Sequence, residues 1–134
     1  MVNTVIAIVL VAHGIGHIMG PLHVLKVASV NPKWHGDSWL LSGAIGTTPA
    51  QSVGMVLWAA ALIGFVLLGG VVLGWLPASW WEPLAIGASL VSLLGLVLFP
   101  TAFPTFSTIG ALVVDLVVLA AVLWLHWVPS DLTT

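Results

Sequence analysis

Four long apolar segments follow one another along the chain, and short polar or proline-containing stretches separate them. Each segment approaches or exceeds the roughly 20 residues that a helix needs to cross a bilayer. The breaks at Pro21, Thr48-Pro49, Pro77 and Pro100–Pro104 are typical of helix limits. The pattern therefore predicts four helices, over about residues 2–20, 50–75, 82–99 and 105–127.

The composition indicates that these helices lie in a membrane. Only 4% of the 134 residues are charged, against about 25% in soluble domains, and the mean hydropathy is +1.23. We therefore predict one transmembrane domain over residues 1–134, with an all-α fold: an integral membrane four-helix bundle. The chain has no cysteine, which excludes disulfides and thiolate metal sites. A net charge of −2 leaves no basic patch for nucleic acid.

The connection over residues 21–49 carries both lysines, Lys26 and Lys33. The positive-inside rule places this connection in the cytoplasm and both termini outside, in the cell inner (plasma) membrane. Leu22 to Val30 is expected to form a short helix in the membrane interface. The first segment lacks a basic start and holds histidines, so we interpret it as a retained helix rather than a cleaved signal.

Three ionisable side chains interrupt the apolar segments near their middles. His13 and His17 are one helical turn apart, so both rings leave the same face of the first helix. Asp115 lies near the centre of the fourth helix, where a carboxylate costs about 2.5–3.5 kcal/mol on insertion scales. Groups of this kind face protein rather than lipid. We expect the three to meet if the first and fourth helices are neighbours.

The predicted site therefore consists of His13, His17 and Asp115, with Ser89 or Ser92 of the third helix completing a polar stripe. Such a site would bind a proton, a metal ion or a small hydrophobic ligand. Two histidines at this spacing offer two metal ligands, and Asp115 would be the third. The alternative is a hydrogen-bonded lock between helices. The cofactor is left unknown, since haem ligation would require histidines from two copies.

Two pairs of glycines repeat the spacing that lets helices approach closely: Gly16 with Gly20, and Gly70 with Gly74. We predict that these glycines lie at helix contacts, either inside the bundle or against another chain. The expected surroundings are thus the lipid bilayer, with a homo-oligomer or a larger membrane complex left open.

The chain resembles a set of small, uncharacterised four-helix bacterial membrane proteins. Those proteins open with a His-Gly-x-x-His-x-x-Gly helix, which His13, Gly14, His17 and Gly20 match here. The segment 57–65, the pair Trp80-Trp81 and a polar residue in the last helix, Asp115 after Gly110, extend the similarity over most of the chain. A more distant likeness is to DoxX-like proteins. The resemblance implies a four-helix bundle and no established activity.

Three functions are compatible with these features. The first is a small membrane protein with a His/Asp intramembrane site, acting alone or as an accessory subunit of a membrane complex. The second is a membrane enzyme that uses the same groups as acid and base on a lipid-like substrate, which requires a cavity beside them. The third is a small dimeric transporter.

Overall fold

The computed structural model describes residues 1–129, and every regular element in that range is helical, so the predicted all-helical architecture is confirmed for it. Four segments are long and apolar enough to cross a membrane: Val2–Val24, Thr47–Val72, Ala78–Leu98 and Thr105–Leu123. The elements are α1 (Val2–Gly16), α2 (Met19–Val24), α3 (Leu41–Ile45), α4 (Thr47–Val72), a 3₁₀ turn (Ala78–Trp80), α5 (Trp81–Leu98) and α6 (Thr105–Leu123).

The first helical segment does not end at Pro21 as the proline suggested. α1 ends at Gly16, the backbone tightens at His17, and α2 then carries the segment on to Val24. Pro21 is the third residue of α2, in the first turn, where a helix needs no backbone N–H. The short helix expected at Leu22 to Val30 is therefore the end of this continued segment, and it stops before Leu25.

α4 occupies 47–72 rather than 50–75. Its beginning includes Pro49, which is tolerated in the first turn for the same reason. Its end is a glycine-terminated turn, because Gly74 adopts a φ of 74° and its N–H bonds to the carbonyl of Val71. α6 likewise ends at Leu123, since the backbone folds back and the N–H of Trp127 bonds to the carbonyl of Ala121.

α4 is the central helix of the bundle. It packs along α1 on one side and along α5 on the other, and α6 packs on α5. α1 and α6 touch only sparsely, so a seam runs between them. One apolar core cluster joins α1, α4, α5 and α6 around Phe65 and Leu68. A second cluster joins the 21–46 connection to α4 and α5 around Trp34, Trp58 and Phe99.

The long connection closes one end of the bundle by capping α5. The hydroxyl of Ser38 donates to the carbonyl of Leu98 over 2.7 Å, and the indole N–H of Trp39 donates to the carbonyl of Val97 over 2.7 Å. These carbonyls belong to the last turn of α5 and have no partner within the helix. Trp34 of this connection is buried against Trp58.

Only part of the predicted glycine contacts is found. A Cβ on Gly20 would collide with the Trp58 ring, and one on Gly70 would touch Leu76. Gly16 and Gly74 face open space within this chain, and Gly74 serves the turn after α4. For those two glycines no contact inside the bundle is found among residues 1–129, and the alternative contact with another chain stays a prediction. Tight contact between α1 and α4 depends instead on Gly14, whose Cβ would lie 2.8 Å from the Cβ of Phe65.

Gly14→Ala and Gly16→Ala form a matched pair that tests this packing. Gly14→Ala should destabilise the bundle by about 1–3 kcal/mol, as overpacking does, because neither the Phe65 Cβ nor the backbone of α4 can easily move. Gly16→Ala makes the same chemical change two residues away in open space, and we expect no loss. Reversible unfolding in mixed detergent micelles measures both. Equal effects would contradict the assignment of the α1–α4 contact to Gly14.

Candidate functional site

Asp115 is fully buried in the middle of the bundle. It lies one residue beyond the midpoint of α6, and His13 is at the midpoint of the Val2–Val24 segment. Oδ1 of Asp115 is 3.0 Å from Nε2 of His13. Within residues 1–129 this is the one ion pair, and both lysines are exposed in the connection. The structure thus brings two of the predicted site residues together across the α1–α6 seam.

Ser92 of α5 connects this pair to the second histidine. Its hydroxyl donates to Oδ2 of Asp115 over 2.6 Å, and its Oγ is 3.0 Å from Nε2 of His17. His17, Ser92, Asp115 and His13 therefore form one continuous hydrogen-bonded series, which we call the polar chain. It links the first helical segment to α5 and α6.

Aromatic rings hold the two imidazoles in place. The His13 ring meets the Phe65 ring edge to face with centroids 4.4 Å apart, and it meets the His17 ring in the same manner at 5.0 Å. Phe103, which precedes α6, packs edge-on against His17 at 6.2 Å. The apolar walls leave the imidazoles few orientations, so their nitrogens point at Ser92 and Asp115.

The geometry determines which atoms of the polar chain carry protons. A hydroxyl has a single proton to donate, and Ser92 gives its proton to Asp115. Nε2 of His17 must therefore be protonated and donate to Oγ of Ser92. In a neutral ring, Nδ1 of His17 is then an acceptor, and this buried atom has no hydrogen-bond partner. The polar chain therefore ends at Nδ1 of His17, an acceptor that has no hydrogen-bond partner among residues 1–129.

Ser89 does not belong to the polar chain. It is buried on α5, one turn before Ser92, and its hydroxyl has no hydrogen-bond partner. Of the two serines that the sequence offered, the structure selects Ser92. No sequence signal separated them, since both lie on adjacent parts of the same helical surface.

The proposed metal site is not supported by the geometry. In the described part of the chain, no three His, Asp or Glu side chains come together so that they could hold a metal ion. The reason is the position of Ser92, which lies between His17 and Asp115. His13, His17 and Asp115 share hydrogen bonds with one another and with this hydroxyl rather than facing a common point.

A cavity of about 190 Å³ adjoins the polar chain. Both histidines line it together with Ala12, Gly16, Leu96, Phe103, Ser107 and Ala111. Its walls on α1 and α6 include small residues one turn apart, which leave this space unfilled. Gly16, which the spacing assigned to helix packing, is part of this cavity wall within the chain. The aromatic rings at the site carried no sequence signal, because phenylalanine is ordinary in apolar helices.

No known family model, no curated protein and no solved structure matches this chain. The resemblance to small four-helix bacterial membrane proteins therefore stays a prediction, and the site is interpreted from its geometry.

Ser92→Ala and Ser89→Ala test the energetic role of the polar chain. Ser92→Ala removes two hydrogen bonds from buried polar groups and should cost about 1–2 kcal/mol of stability. Ser89→Ala removes a buried hydroxyl without a partner, so we expect a neutral or stabilising effect. Both variants replace a serine by alanine, and both positions lie on α5. Unfolding of each variant in mixed micelles should separate them, and a larger loss for Ser89→Ala would contradict the polar chain as drawn.

Proposed function

We propose that this chain is a multi-pass protein of the inner membrane whose polar chain binds and transfers a proton within the bilayer. The observation that carries the proposal is the unbroken hydrogen-bonded path from Nδ1 of His17 to Asp115 and His13. Intramembrane carboxyl and imidazole groups arranged in series are the usual components of proton relays. Under this proposal, the connection over residues 21–49 is cytoplasmic because it holds Lys26 and Lys33.

The path conducts a proton by a balanced exchange. A proton that arrives at Nδ1 makes the His17 ring a cation. The Nε2 proton of His17 passes to Oγ of Ser92, while the Ser92 proton passes to Oδ2 of Asp115. His17 returns to a neutral ring, now protonated on Nδ1, and Asp115 becomes a neutral carboxyl. Each atom on the path gives up one proton or gains one, so no further reactant is needed.

The surroundings favour proton exchange over a permanent ion pair. Asp115 is contacted by His13 from α1 and by Ser92 from α5. His17, which follows α1, reaches it through Ser92, and α4 contributes the Phe65 ring near the histidines. No lysine or arginine fixes the carboxylate as an anion. Imidazole is the side chain whose charge changes between about pH 5 and 8. Under the proposal, the three ionisable groups exchange protons as one system, because hydrogen bonds join them directly or through Ser92.

Coupled titration is the direct test of the proposed function. In lipid nanodiscs, the infrared band of a protonated carboxyl should appear over the same pH interval in which the imidazole ¹⁵N signals of His13 and His17 change. Asp115→Asn should abolish that band. Ser92→Ala should separate the His17 transition from the carboxyl band, because it cuts the path between them.

Asp37→Asn is the matched control, since it changes an exposed carboxyl of the connection in the same way. It should leave the coupled signals unaltered. A wild-type His17 that titrates independently of the Asp115 band, as it should in Ser92→Ala, would overturn the proposal.

A further inference from the structure

The seam between α1 and α6 contains two adjoining spaces of different chemistry. The first is the cavity beside His13 and His17. The second is an apolar groove lined only by valine, isoleucine and leucine from residues 5–10 of α1 and residues 113–118 of α6. Val9 and Val114 of the groove are about one turn from Ala12 and Ala111 of the cavity along the same helices. The two spaces therefore follow each other along one seam.

The charges of the cavity select a neutral ligand group. Asp115 is not among the residues that line the cavity, and its two oxygens are hydrogen-bonded to His13 and Ser92, so a cationic headgroup in the cavity would meet no carboxylate. Neither lysine lines the cavity, so no permanently charged side chain there would hold a phosphate or carboxylate. The polar groups that line it are imidazoles and the hydroxyl of Ser107.

The unpaired Nδ1 atom of His17 requires a ligand group that donates a hydrogen bond. His17 is 3% exposed, and its Nδ1 has no partner in the protein. Because Nε2 donates to Ser92, Nδ1 of the neutral ring can only accept. His17 and Ser107 both line the cavity, so a ligand hydroxyl placed there is the kind of donor that this acceptor lacks. Leaving a buried polar atom unpaired has a cost, which a ligand hydroxyl would remove.

From these features we infer that the α1–α6 seam binds a neutral, hydroxyl-bearing amphiphile, with the hydroxyl in the cavity against His17 and the apolar tail in the groove. From His13 of the cavity to Val5 at the far end of the groove, the seam extends ~12 Å along α1 at 1.5 Å per residue. The ligand enters from the bilayer, where α1 and α6 do not close on each other. The inference deepens the proposed function, because the ligand hydroxyl lies at the atom where a proton enters the polar chain.

Photolabelling tests the inference with defined probes. A photoactivatable hexadecanol in phosphatidylcholine nanodiscs should label residues of α1 and α6 that line the seam, and unlabelled hexadecanol should compete. Hexadecane, palmitate and hexadecylamine should compete about tenfold less well, the effect of ~1.4 kcal/mol in affinity. Labelling that hexadecane suppresses equally would mean an apolar groove without head recognition, and it would overturn the inference.

Gly16→Leu is the variant of choice because position 16 lines the cavity and a Cβ there meets nothing within 4 Å. The leucine should fill the cavity, and labelling should fall about tenfold. Gly110→Leu is the matched control, since Gly110 is exposed on α6, also in open space and outside the cavity. It should label as the wild type does. Absent wild-type labelling, including closure of the seam by a second copy, would overturn the inference.

The photolabelling result does not depend on the result of the proton titration. Labelling reports occupancy of the seam and needs no change in the protonation of Asp115. The infrared and NMR titration needs no added amphiphile. A wild-type chain that titrates cooperatively but takes up no hexadecanol would overturn this inference alone, whereas specific labelling without coupled titration would overturn the proposed function alone.

Discussion

The burial of one carboxyl group governs how this bundle is assembled. α6 buries few side chains, and those are Asp115, Val118 and Val122 along one stripe. Beside it, α1 and α6 barely touch, so the hydrogen bond from His13 to Asp115 bridges an otherwise open seam. Since an unsatisfied carboxyl in an apolar bundle is costly, α6 can dock only in the register that brings Asp115 to both His13 and Ser92.

Apolar packing on the other side of α1 makes that register exact enough for hydrogen bonding. Gly14 lets α1 lie directly on α4, and Phe65 then fills the space against both imidazoles. Van der Waals contact with Phe65 holds one side of the imidazole rings, and hydrogen bonds to Asp115 and Ser92 fix the direction of their nitrogens. The polar groups determine which helices meet, while the tight α1–α4 contact determines the distance at which they meet.

The sequence predicted the meeting of His13 and Asp115 because both signals were strong: a one-turn histidine spacing and an isolated carboxyl at matching depth. It could not choose between Ser89 and Ser92, since one turn of α5 separates them and only the rotation of α5 decides. It could not tell which glycines lie at contacts within this chain, because a small residue marks a close contact, a cavity wall or a turn equally well. Gly16 lines the cavity, and Gly74 serves the turn after α4. The first helical segment continues past Pro21, where the sequence predicted its end, because the first turn of a helix accepts proline.

A purely structural lock would not need the whole polar chain. Ser92 and His13 already satisfy both oxygens of Asp115, and these bonds are enough to dock α6. His17 adds a second buried imidazole whose Nδ1 has no partner. It does so beside a cavity that a larger residue than Gly16 could fill without strain. Selection for stability alone favours filling such a space and removing such an atom. An unpaired buried acceptor beside an unfilled cavity is the combination that the proposed exchange with a ligand requires.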